Sequence, residues 1–152
     1  MTKIPPVVVA GAAGLAQLFV SRGARPTRGS VAAGALVAGS ALALAGSALQ
    51  TFRDQGTTFD PIEIDNAQTL VENGPYRFTR NPMYLGIAGF LLGAAIARRS
   101  VKAVLPVGGF VAVMTTTQIR REEAALTAIF GAPYLDYLRR VPRWVGPVER
   151  TQ

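Results

Sequence analysis

Four long apolar blocks, parted by short cationic turns, constrain this chain more than any other feature. They run Ile4 to Val20, Val31 to Leu49, Met83 to Ala97 and Val101 to Ile119. A helix crossing the hydrocarbon core needs roughly 20 predominantly apolar residues. In lipid, only helices and closed barrels satisfy their own backbone groups. The blocks show no period-two alternation, which argues against a barrel. The expected fold is therefore all-α: an integral membrane helical bundle of about four transmembrane helices with a cytoplasmic amphipathic C-terminal tail. Residues 1–152 form one domain, with 1–50 as an N-terminal helical hairpin. Gly34, Gly39, Gly46 and the neighbouring alanines of the second block would let backbones approach closely. The first block is long for a signal-peptide core, and its single Lys3 is a weak start for one. The third block, only 15 residues, reaches roughly 22 Å and falls short of a full crossing.

Composition narrows the chemistry. The chain has no Cys and no His, which removes disulfides, thiolate nucleophiles and the commonest metal ligands, so a metal enzyme is not expected. The net charge is +7, but the cations flank apolar blocks. Anionic lipid headgroups explain them better than nucleic acid does.

The polar connection, residues 51–81, holds Asp54, Asp60, Glu63, Asp65 and Glu72 and is punctuated by Gly56, Pro61, Gly74 and Pro75. Four crossings place it at the same end as the 120–152 tail, where the two can build one site. Arg22, Arg25, Arg28, Arg98, Arg99 and Lys102 lie at the other end, and the remaining ten of the sixteen Lys and Arg lie at the site end. That count favours a cytoplasmic site and cytoplasmic termini.

Two constellations carry chemistry. In Gly74-Pro75-Tyr76-Arg77-Phe78-Thr79-Arg80-Asn81-Pro82-Met83-Tyr84-Leu85-Gly86, two arginines and two tyrosines stand at the start of a short apolar helix, which Asn81 as N-cap and Pro82 would open. A helix start suits a carboxylate or phosphate; the same residues suit an interfacial anchor equally well. The second constellation, Arg120-Arg121-Glu122-Glu123, could bind ribose hydroxyls or an ammonium. Taken alone, a solvated helix start is the simpler reading.

Together, GPYRFTRNPMYLG and the later REEAALTAIFGAPYLDYLRRVPRW resemble the isoprenylcysteine carboxyl methyltransferase and phospholipid methyltransferase family of membrane-embedded enzymes. Gly74, Pro75, Tyr76, Arg77, Arg80, Pro82, Tyr84 and Gly86 match its first motif; Glu122, Glu123, Leu126, Phe130, Gly131, Tyr134, Tyr137, Val141, Pro142 and Arg143 match its second. The likeness runs from about Arg53 to Trp144 and includes the lead-in from Gly56-Thr57-Thr58 to Leu70-Val71. Two separated motifs in the right order are far more specific than either alone. Asn81 stands where many members carry His. Asn still donates hydrogen bonds but cannot act as a base.

The resemblance implies S-adenosylmethionine as methyl donor, with S-adenosylhomocysteine as product. It implies a pocket lined by Tyr76, Arg80, Asn81, Pro82, Tyr84, Leu85 and Gly86 and closed by Glu122 and Glu123. Glu122, Glu123 and Arg121 become catalytic candidates. Arg77, Ile87, Leu91, Met114, Tyr134, Tyr137 and Arg143 become acceptor-binding candidates. Methyl transfer needs no metal, and the acceptor atom (O, N or S) stays open. The preferred acceptor is a membrane lipid or small lipophilic molecule, in the inner membrane of a bacterium. The rival readings are a non-enzymatic membrane scaffold or partner subunit, and a reductase-like relative. Because the third block is short, a lateral opening lined by Ile87, Leu91 and Met114 is expected, with Tyr134, Tyr137 and Trp144 lying on the membrane surface as a lid.

Overall fold

The computed structural model describes residues 4–54 and 69–146. Lys3, Asp60, Glu63, Asp65, Pro61 and most of the lead-in from Gly56 lie outside the described residues. Within them every regular element is helical: α1 (Pro6–Val20), α2 (Arg28–Asp54), α3 (Pro82–Ala97), α4 (Leu105–Val113), α5 (Arg120–Phe130) and α6 (Ala132–Arg140). Single 3₁₀ turns occupy Gly74–Arg77 and Val101–Val104.

By length and composition, one helix among the described residues, α2 with 27 residues, is apolar and long enough to cross a membrane. α1 and α3 are apolar but shorter, at 15 and 16 residues. At about 1.5 Å per residue they fall short of the roughly 30 Å hydrocarbon core.

The frame of the molecule is the α2–α3 pair, which is in contact over most of α3. Its physical basis is the absence of side chains. A Cβ on Gly93 would lie 2.6 Å from the Gly34 carbonyl oxygen and 2.7 Å from the Ala38 nitrogen. One on Gly86 would lie 2.7 Å from the Ala41 oxygen. Gly34, Ala38, Ala41, Ala45 and Ala48 of α2 recur at spacings of three and four, the helical repeat that keeps small residues on one face. The small-residue signal is thus real, but its partner is α3. Gly39 and Gly46 face open space.

α1 packs on the other side of the frame, against α3, α4 and the Val101–Val104 turn. Gln17, buried within this apolar helix, donates its amide to the carbonyls of Leu91 and Ala103, both at 2.8 Å. Leu91 and Met114 are almost fully enclosed, packed with Ala13, Val107 and Phe110, and Ile87 lies against the same cluster. The expected lateral opening at these residues is therefore filled. α1 supplies the surface that closes it, a partner that the shortness of the third block alone did not reveal.

The polar residues after Gln118 do not end the helix. α4 passes through a π-helical stretch, Met114–Ile119, into α5 as one rod from 105 to 130. Polar composition changes the preferred solvent of a helix without breaking its backbone. The π stretch coincides with Thr115, Thr116 and Thr117, whose hydroxyls donate to the carbonyls of Val111, Ala112 and Val113 four residues back, at 2.7, 2.8 and 2.6 Å. Such back-bonding competes with the regular ladder. The rod ends at Gly131, whose φ of 59° a side chain would disfavour.

Candidate active site

The two polar segments meet. Tyr137 donates its hydroxyl to the Tyr76 carbonyl at 2.7 Å, and Arg140 pairs with Glu72 at 2.7 Å. Where α6 ends, residues 141–144 form a strap across the start of α3. The Arg80 N–H donates to the Pro142 carbonyl at 2.9 Å; the Asn81 amide and the Thr79 hydroxyl both donate to the Arg143 carbonyl, at 2.9 and 3.2 Å. Trp144 donates its indole N–H to Thr115 of the π stretch at 3.0 Å. π-helical turns often accompany functional sites, and this one presents both Thr115 to the strap and Gln118 to the site.

The polar centre lies under this strap and is built on the two adjacent glutamates, which do different things. Glu122 Oε1 accepts from the Tyr84 hydroxyl at 2.5 Å and from the Gln118 amide at 2.9 Å. Burial, aided by the nearby Glu123 charge, pushes the Glu122 carboxyl above the usual carboxylate range, while its two donors pull it back. Glu123 takes a bidentate pair from Arg143, at 2.9 and 2.7 Å, and a longer contact of 3.4 Å from Arg80. A fork-to-fork arginine pair of this kind fixes orientation as well as charge. The Arg80 side chain is only 6% exposed, yet its Nε has no hydrogen-bond partner among the described residues. A buried donor left unsatisfied costs ~1–3 kcal/mol, and an incoming carboxylate would relieve it.

The remaining candidates are placed unevenly. Pro82 opens α3 as its first residue, but Asn81 makes no side-chain cap; its amide is committed to the strap. Tyr76 is buried, its ring edge-on to Phe52 at 5.2 Å, and Leu85 is half-buried. Gly86 serves the α2 interface, because its missing Cβ is what admits Ala41 and Ala45. Arg77 and Arg121 are exposed, outside the polar centre. Tyr134 and Tyr137 are buried with Leu126, Phe130, Leu138 and Val141 in a small core of their own, which replaces the surface lid expected of them. Burial also holds both hydroxyls above the ordinary phenol range. Trp144 packs inward against the α1–α3–α4 core. Sequence reasoning missed Gln118, Thr79 and Thr115. Gln118 was visible as the lone amide one helical turn before Glu122; Thr79 and Thr115 gave no signal.

The sequence pattern of the phospholipid methyltransferase family matches residues 30–133, more than half of the chain, and the chain belongs to that family. It is also similar to the protein-S-isoprenylcysteine O-methyltransferases of Mus musculus and Rattus norvegicus. Each is 33% identical over 95 residues, covering 57% of this chain and 32% of the relative. The matched stretch thus spans about a third of those relatives' length. No group of three or more metal-ligating side chains occurs among the described residues.

Proposed function

We propose that this protein transfers a methyl group from S-adenosylmethionine to a lipid-like or small lipophilic acceptor at a membrane surface. The observation that carries this reading is the joining of the two family motifs through Tyr84–Glu122 and Arg80–Glu123–Arg143. The residues present fit the donor. The unpartnered Arg80 Nε offers a buried cation to an amino-acid carboxylate, and Glu122 offers a carboxyl to a ribose hydroxyl or ammonium. When bound, the donor supplies an electrophilic methyl on a sulfonium, so no metal is required.

What remains for the protein is orientation, exclusion of water and handling of one proton. A carboxylate acceptor releases no proton and needs a cation to orient it; Arg143 and Arg80 flank the centre. An amine or thiol acceptor must give up a proton, and Glu122, its carboxyl raised above the ordinary carboxylate range by burial and bonded by Tyr84 and Gln118, is the base that would take it. A hydrophobic helical frame with its polar centre at one end suits an acceptor delivered from a bilayer. In this reading α1–α4 sit in the membrane, and the strap, α5 and α6 lie at its cytoplasmic face.

The test is transfer of labelled methyl from S-adenosylmethionine into the lipid fraction of membranes containing the protein. Label should enter lipid with the native chain and fall at least ten-fold with Glu122→Gln if the acceptor is an amine or thiol. Label appearing in no lipid or lipophilic extract would overturn the reading and favour a non-enzymatic subunit.

A further inference from the structure

We propose that Asn81 is a positioning residue that divides the charge of Glu123 between two arginines and so keeps Arg80 available; this rests on the methyl-transfer reading above. Asn81 is 8% exposed and its amide donates to the Arg143 carbonyl at 2.9 Å. The same residue's guanidinium grips Glu123 at two points. Arg143 is therefore held at both ends, by its carbonyl on α3 and by its side chain on α5. With Arg143 so fixed, Glu123 spends its best geometry there. Arg80 keeps only the 3.4 Å contact, and its Nε stays unpartnered.

Charge-assisted arginine–carboxylate pairs strengthen steeply as the fork closes. Release of the Arg143 carbonyl would loosen the strap and let Glu123 close onto Arg80, removing a buried donor that has no partner among the described residues and could meet a ligand carboxylate. The task of Asn81 is then only to donate one hydrogen bond to a main-chain oxygen. A ring N–H of histidine can do the same, so the position needs a donor and does not need a base. Thr79 makes a second, longer bond to the same carbonyl at 3.2 Å, and the Arg80 N–H holds the neighbouring Pro142 carbonyl at 2.9 Å, so Asn81 is the principal side-chain pin of Arg143.

The chain holds a single tryptophan. It adjoins Arg143 and is bonded to Thr115, so intrinsic emission reports strap seating without any cofactor or activity. Asn81→Leu removes the donor at similar volume, Asn81→Asp presents an acceptor to the carbonyl, Asn81→Ser keeps a polar helix start but is too short to reach, and Asn81→His restores a donor. Leu, Asp and Ser should red-shift Trp144 emission, and His should restore the native spectrum. S-adenosylhomocysteine affinity should fall about five-fold in Ser, the scale of one neutral hydrogen bond, and recover in His. If Leu or Asp does not fold, the Ser–His pair carries the test. Native emission in Asn81→Ser, or unseating in Asn81→His equal to that in Ser, overturns the proposal. Emission that shifts while native and variant chains alike bind no S-adenosylhomocysteine would sink the methyl-transfer reading and leave the pin standing.

Discussion

The α2–α3 interface and the strap-bound polar centre share one helix and follow opposite rules. Along α3 from Gly86 to Gly93, contact is carbon on backbone, and specificity comes from what is missing: a Cβ at any of three glycines would lie under 3.0 Å from α2. At the start of the same helix, Thr79, Arg80, Asn81 and Tyr84 make directional bonds to residues 38 to 64 positions away. The first region rigidly fixes where α3 lies. The second uses that fixed start as a platform for charges. A helix can thus be structural along its length and chemical at its tip, and the two parts should fail differently when altered.

The largest effect should come from the frame. Gly93→Leu forces a branched side chain into backbone at 2.6–2.7 Å, where overpacking typically costs ~1–3 kcal/mol and occasionally more. Loss of helical signal and of folded protein in detergent is expected; a normally folded Gly93→Leu would break the contrast. Next comes Glu123→Gln, which leaves Arg80 and Arg143, 6% and 17% exposed, without their counter-charge. S-adenosylhomocysteine binding should weaken by roughly ten-fold or more, the scale of a charged hydrogen bond at ~1.5–3 kcal/mol, while the helical signal persists. Unchanged affinity would remove Glu123 from the site.

A smaller, pH-dependent effect belongs to Glu122. Its folded carboxyl holds its proton to higher pH than an exposed one. Folding is therefore favoured at low pH, and that advantage is lost as pH rises through the folded value. Glu122→Gln should gain stability relative to the native chain as pH climbs above the ordinary carboxylate range. Parallel denaturation midpoints across that range would show that Tyr84 and Gln118 fully offset burial. The smallest effect should be at Arg140, whose pair with Glu72 is largely exposed: Arg140→Ala should leave both binding and melting near native.

Much of this was legible in the sequence. The helical class, the start of α3 at Pro82 and the meeting of the two polar segments follow from apolar block length and number and from proline chemistry. What escaped has physical reasons. Helix partners are not encoded in a small-residue repeat, so Gly34 gave close approach without naming α3. The π stretch hides in a threonine run that reads as ordinary helix. Amphipathic tails look alike whether they cover a surface or fold back on the chain, so Tyr134, Tyr137 and Trp144 were expected on the membrane; the two tyrosines are instead buried, and Trp144 packs half-buried against the core. Gln17 and Gln118, single amides in apolar stretches, were the strongest unused signals, because a buried amide must find partners.

The most direct measurement is titration of the detergent-solubilised full chain with S-adenosylhomocysteine, following its melting. Saturable binding is expected, with about 2.7 kcal/mol of added stability at a hundred-fold excess over Kd, and a reduced shift in Arg80→Leu, which lacks the free Nε donor. No shift at millimolar ligand from a folded native chain would contradict a cofactor site built from the two motifs.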